Sequence, residues 1–146
     1  MERRKFLRSC GVAAIGAPVL ATVLHSCGTV HYATFTAAGK KLTIPRTEFI
    51  RIKKDKEIPR QFVLVKSRVS SFPICLWKVD DNNFNASLME CTHTGCELNV
   101  GGTVFTCPCH GAEFSNSGKL LTGPAEEDLR TFKTETDDEN IYIILA

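Results

Sequence analysis

Two short boxes constrain this chain more than anything else in it: Cys91-Thr92-His93-Thr94-Gly95-Cys96 and Cys107-Pro108-Cys109-His110-Gly111. Between them they hold four cysteines and two histidines, residue types that bind soft or borderline metals. So few residues separate the boxes (97–106) that all six side chains must converge on one site. Glu97 to Val100 and Thr103 to Thr106 flank Gly101-Gly102, the two-residue loop expected of a tight hairpin. The boxes are therefore expected as loops at the same end of one hairpin, and the rest of the chain must build a platform for them.

That platform reads as β throughout. Leu42-Thr43-Ile44, Phe49 to Ile52, Gln61 to Lys66 and Pro73 to Val79 are short β-branched or aromatic runs, separated by Pro45, a charged turn at Lys53 to Glu57, and Ser70-Ser71. In Ile74 to Val79 the period is two: Ile74 and Leu76 face one way, Cys75, Trp77 and Val79 the other. Asp80-Asp81-Asn82-Asn83 is turn chemistry, and Phe84, Ala86 and Leu88 alternate out of it, a hairpin that delivers Cys91. Further strands are expected around Lys119 to Leu121, Asp128 to Thr134 and Ile141 to Leu145, the last after the acidic turn Asp137 to Asn140. No run longer than a turn has helical periodicity. The expected fold is all-β, a domain of small antiparallel sheets over residues 41–146.

The N-terminal stretch speaks another language. Residues 1–26 have the order of an export signal: a basic start, an apolar stretch from Gly11 to Leu24, then small and polar residues. Arg3-Arg4-Lys5-Phe6-Leu7-Arg8 resembles a twin-arginine signal, whose pathway moves folded proteins. Leu24-His25-Ser26-Cys27-Gly28 resembles a bacterial lipobox, which makes Cys27 the expected lipidated N-terminus. The apolar stretch falls short of the roughly 20 residues needed to span a bilayer, so a lipid anchor is expected in place of a spanning helix. Residues 27–40, small and polar, are expected to be a tether, with His31 a tether residue. Charge is polarised along the remainder. Residues 40–68 carry ten basic and three acidic side chains, whereas 69–146 carry four and twelve. No nucleic-acid motif accompanies the basic part, which reads as a solvated face able to orient partners or lie near anionic headgroups. Of the seven cysteines, Cys75 stands alone in an apolar run and is expected to be a buried small hydrophobe.

On donor types alone, each box supplies one thiolate and one imidazole, and a structural zinc remains open. Taken with their glycines and extra cysteines, however, the boxes closely resemble those of Rieske iron–sulfur proteins, over a domain running from about Lys41 to the end. The resemblance implies a [2Fe-2S] cluster, with Cys91 and Cys107 as thiolate ligands and His93 and His110 as imidazole ligands. It implies that Cys96 and Cys109 form a disulfide between the two cluster-binding loops, a bond an exported protein would keep. It also makes Gly123-Pro124-Ala125 the proline loop that packs over the cluster. With neutral imidazoles, two ferric ions, two sulfides and two thiolates sum to zero charge, so histidine ligation favours the electron and adds a releasable proton.

Two departures qualify the resemblance. High-potential members usually carry Ser directly after the second box and Tyr two residues later, whose hydroxyls donate to cluster sulfurs; here those positions are Ala112 and Phe114. A lower potential is expected than in quinol-oxidising members with both hydroxyls. Residues 94–106, between His93 and Cys107, are also somewhat fewer than is usual.

The expected function is one-electron transfer by a lipid-tethered Rieske protein of the bacterial cell envelope, facing the periplasm and serving a redox protein or membrane complex, with no nucleic acid involved. Alternatives are the Rieske subunit of a quinol-oxidising cytochrome bc-type complex, a small subunit of a periplasmic molybdenum oxidoreductase, and an accessory lipoprotein of an outer-membrane assembly whose cluster is structural or redox-sensing. A self-contained oxygenase is excluded, because its second iron needs two histidines more. The four present are His25, His31, His93 and His110, and only the last two lie in the domain's boxes.

Overall fold

The structure, a computed structural model, describes residues 30–68 and 70–145. The export signal and Cys27 lie outside the described residues. Among the described residues, thirteen strands and one 3-10 turn at Arg46–Phe49 make up the body. Seven strands form one antiparallel sheet: β1 (Thr36–Ala38), β2 (Lys41–Pro45), β5 (Phe62–Val65), β6 (Ile74–Lys78), β7 (Phe84–Leu88), β12 (Thr131–Thr136) and β13 (Asn140–Ile144), in the order β1-β2-β13-β12-β7-β6-β5. A second sheet of four strands has the order β11-β10-β9-β8, from β8 (Asn99–Gly101), β9 (Val104–Thr106), β10 (Glu113–Ser115) and β11 (Leu120–Thr122). The hairpin of β3 (Ile50–Lys53) and β4 (Lys56–Pro59) pairs only with itself.

The period-two reading of residues 74–79 explains how the two larger sheets share the molecule. Ile74 and Leu76 enter the core of the seven-stranded sheet with Leu42, Ile44, Val63, Val65, Ile141 and Ile143. Cys75 and Trp77 leave the opposite face of the same strand and join a second core with Phe105, Phe114, Cys91 and Cys107. Strand β6 is thus a partition, apolar on both faces because a hydrophobic core packs on each. Cys75 is fully buried, and burial pushes its thiol far above the ordinary range. It packs as the expected small hydrophobe.

Turn chemistry sets the registers. Asp80 and Asp137 each accept backbone N–H groups two and three residues ahead, from Asn82 and Asn83 and from Glu139 and Asn140, closing the β6–β7 and β12–β13 hairpins as Asx turns. The diglycine hairpin is shifted by one residue from expectation: Gly101 pairs with Val104, and Gly102 takes the positive φ of 65°.

The expected tether is a correction for the residues described. From His31 onward it is folded. Leu64 donates its N–H to the His31 carbonyl at 2.9 Å, and Ala33 donates to the Leu64 carbonyl at 2.8 Å, on edge strand β5. Thr36, Ala37 and Ala38 pair with β2 at the opposite edge of the same sheet. One segment, residues 31–38, therefore touches both edges, so the sheet curls until its N-terminal segment spans the gap. Ala33 is buried there, and Phe35 packs against the core. Small and polar composition hid the segment, since alternation across so few residues carries little signal.

Candidate metal centre

The two boxes fold as the same loop. In the first, Cys91 N–H donates to the Cys96 carbonyl at 2.8 Å and Gly95 N–H to the Cys91 carbonyl at 2.9 Å; in the second, Cys107 N–H donates to the Ala112 carbonyl at 2.8 Å and Gly111 N–H to the Cys107 carbonyl at 3.0 Å. Each closure needs a left-handed residue at its fifth position. Gly95 and Gly111 supply it, at φ 74° and 78°, where a side chain would be strained. Hairpin β8–β9 joins the two loops, as expected, and strand β7 delivers the first.

This shared backbone sets a common polarity. Cys91 and Cys107, each at the start of its loop, are buried with free thiols. His93 and His110 are exposed, their ring centroids 4.9 Å apart and edge to face. The thiols lie inside, while the imidazoles meet at the surface.

Electrostatics follow from the loop amides. Burial works against ionisation of Cys107, yet the backbone N–H groups of Cys109 and His110, with the Cys91 thiol, hold it below the ordinary thiol range. Cys91 is pushed up, by burial first and then by Cys107 itself.

Cys96 and Cys109 form a disulfide linking the loops, with Cα atoms 6.5 Å apart and a sequence separation of 13. The sulfurs of Cys96, Cys107 and Cys109 lie within 4.8 Å of one another. That trio is no metal site, because two of its sulfurs are spent on each other. Two unpaired thiols and two imidazoles remain. Their chemistry fits the [2Fe-2S] group that the resemblance implies, which takes two of each.

The surroundings are apolar where hydroxyls were missing. Ala112 and Phe114 are fully buried and pack in the same core as Cys91 and Cys107. Gly123 and Pro124 are exposed and joined by a cis peptide, while Ala125 enters that core. Thr92 Oγ1 donates to the Glu127 carbonyl at 2.8 Å and ties the first loop to this proline segment. One contributor was illegible in the sequence. Gly118, in the β10–β11 turn, has φ 84° and approaches Thr131, Ser87 and Leu129 so closely that a Cβ would lie 2.9 Å from Thr131 Cγ2. It seats the loop-bearing sheet against the larger one.

Comparison with known proteins agrees in kind. The family described as "Rieske [2Fe-2S] domain" matches residues 48–133. The iron-sulfur subunit of the cytochrome b6-f complex of Synechococcus sp. (strain JA-2-3B'a(2-13)) is 42% identical over 53 residues, 35% of this chain and 31% of that subunit. Its counterpart in Prochlorococcus marinus (strain MIT 9303) is 36% identical over 55 residues, 36% of this chain and 31% of that one. The chain thus spans about a third of these curated relatives. Among solved structures, the cyanobacterial plasma membrane Rieske protein PetC3 from Synechocystis PCC 6803 superposes with a TM-score of 0.50 at 34% identity, covering 57% of this chain and 85% of that one.

Proposed function

The chain belongs to the Rieske [2Fe-2S] domain family, and from that premise we propose that it is a one-electron carrier, tethered by an acylated Cys27 and facing the periplasm of a bacterial envelope. Its cofactor is the family's [2Fe-2S] cluster, and Cys91, Cys107, His93 and His110 are the residues to hold it. When bound, the cluster supplies one reversible electron. The residues do the rest. The loop amides that lower Cys107 favour its ligating, ionised form. The disulfide keeps the two loops in register. The exposed imidazoles of His93 and His110 offer a partner the shortest route in.

One observation carries this reading: two matched loops turn both free thiols inward and both imidazoles outward at one end of the molecule. Iron and acid-labile sulfide assays on purified protein should find equal amounts of each, with a signal that titrates reversibly in a one-electron step. Cys91→Ser, His93→Ala, Cys107→Ser and His110→Ala should each abolish it. Zinc, or iron without sulfide, would sink the proposal.

The second reading, a Rieske subunit of a quinol-oxidising cytochrome bc-type complex, draws support from the b6-f subunits among the relatives. Against it stand the buried Ala112 and Phe114, which put no hydroxyl beside the thiol ligands. The plasma membrane relative favours the inner membrane. Mass spectrometry of the mature N-terminus separates the two readings: acylated Cys27 supports the carrier, and retention of residues 1–26 supports the subunit.

A further inference from the structure

The β3–β4 hairpin is the one large feature that the cluster site does not use. Its strands pair only with each other, and the most exposed large apolar side chain among the described residues sits near its tip: Ile52 is 65% exposed. Ile50 beside it is also exposed. The same hairpin carries Arg51, Lys53, Lys54 and Lys56 against Asp55 and Glu57; Ile52 stands opposite Glu57, and Lys53 opposite Lys56 on the other face. Lys54 and Asp55 make the tip with positive φ, and no carboxylate among the described residues pairs with Lys53, Lys54 or Lys56.

The entering chain comes in beside this hairpin. His31 Nε2 meets Glu48 Oε2 at 2.6 Å, just before β3. His31 also lines one depression with Arg51, Ile58, Pro59 and Arg60, and its neighbours Val30 and Tyr32 are exposed. Cys27 lies four residues before His31, a reach of at most about 14 Å for extended chain. An acyl chain there would hold His31, and the hairpin residues Arg51 and Ile58 beside it, within about that reach of the headgroups. A mixed apolar and cationic protrusion is complementary to an anionic lipid surface, and the oppositely charged 69–146 part of the chain is not.

We propose that the β3–β4 hairpin is a second membrane contact, with Ile52 entering the interface and Arg51, Lys53, Lys54 and Lys56 on anionic phospholipid headgroups. It rests on the tethered reading for its geometry but binds by its own chemistry. Full-length protein reconstituted into phosphatidylcholine vesicles, with or without phosphatidylglycerol, tests it by limited trypsin digestion. The readout is cutting at Lys53, Lys54 and Lys56 relative to Lys119 and Lys133. We expect the ratio to fall about tenfold with phosphatidylglycerol and to recover in ~0.5 M salt, where screening lengths shrink to a few ångströms. Ile52→Glu, which keeps every trypsin site, should remove the protection. Equal ratios in both vesicles overturn the proposal. Protection confined to native membranes also overturns it, since a protein would then be the partner. Mass spectrometry of the same samples keeps the two ideas apart. Protection without acylation ends the tether alone, and acylation without protection ends the hairpin contact alone.

Discussion

The seven-stranded sheet and the four-stranded sheet are held together by different means. In the first, β2, β6, β7 and β13 are five residues long and β12 is six. Their inward positions are aliphatic, and side chains such as Ile44, Val63 and Ile141 have no solvent exposure at all. In the second, every strand is three residues long, too short for its ladder to organise it. There the buried set includes Cys91 and Cys107 themselves, and the crosslink between Cys96 and Cys109 does what longer strands do elsewhere. The larger sheet is a hydrophobic platform. The smaller one is a chemical clamp, ordered by the bonds that also serve the cofactor.

Breaking the crosslink should therefore separate the two. Closing a loop of this length removes about 3 kcal/mol of chain entropy from the unfolded state. In Cys96→Ser/Cys109→Ser, that loss should fall on the loops and β8 to β11, with cluster retention falling alongside. Hydrogen exchange read by mass spectrometry should show faster exchange over 91–122 and unchanged protection over 41–45 and 140–144. Equal loosening of both sheets would erase the distinction between platform and clamp.

Gly118 tests the seam. An alanine there would set a Cβ 2.9 Å from Thr131 Cγ2 and 3.1 Å from Ser87 Oγ at a φ of 84°. Left-handed strain and overpacking together cost about 2 kcal/mol. The urea midpoint of Gly118→Ala should drop accordingly. Faster exchange should spread over 113–122 first, because the contact is with the platform strands and the platform has other support. A midpoint within error of wild type would mean that the seam yields without cost.

The same contrast explains what could be read from the chain. Alternation over Ile74 to Trp77 sorted the two cores correctly because β6 is long enough to show a period and buried on both faces; Val79, expected on the face of Cys75 and Trp77, lies past the strand's end and is exposed. The boxes were legible because metal chemistry tolerates few residue types. Lys56-Glu57-Ile58-Pro59 was hidden because charged residues carry little β propensity; it pairs because the Lys54-Asp55 turn folds it back. Glu113-Phe114-Ser115 was hidden by brevity, with one buried ring as its anchor. Residues 31–38 and Gly118 were hidden because what places them is long-range: a sheet edge in one case, a neighbouring side chain in the other. The paired loop closures by Gly95 and Gly111 were visible only as glycines until both hydrogen-bond patterns could be compared.

The smallest effect probes the clamp alone. Ala112 and Phe114 lie with no exposure in the core that holds Cys91 and Cys107, so a hydroxyl added at either finds a sulfur of the cluster site or finds no partner. If it finds sulfur, it donates more strongly once an electron has arrived, which stabilises the reduced state. A differential of about 1 kcal/mol corresponds to roughly 40 mV for one electron. Ala112→Ser and Phe114→Tyr should each raise the midpoint potential by about that much in a redox titration. Their stability should barely change, and exchange over the platform strands should not change at all. If the hydroxyl finds nothing, the opposite pair of results follows. The potential stays put while stability falls by about 1–3 kcal/mol for a buried, unsatisfied group. The two outcomes cannot be confused, and only the first makes this apolar lining the cause of a lower potential.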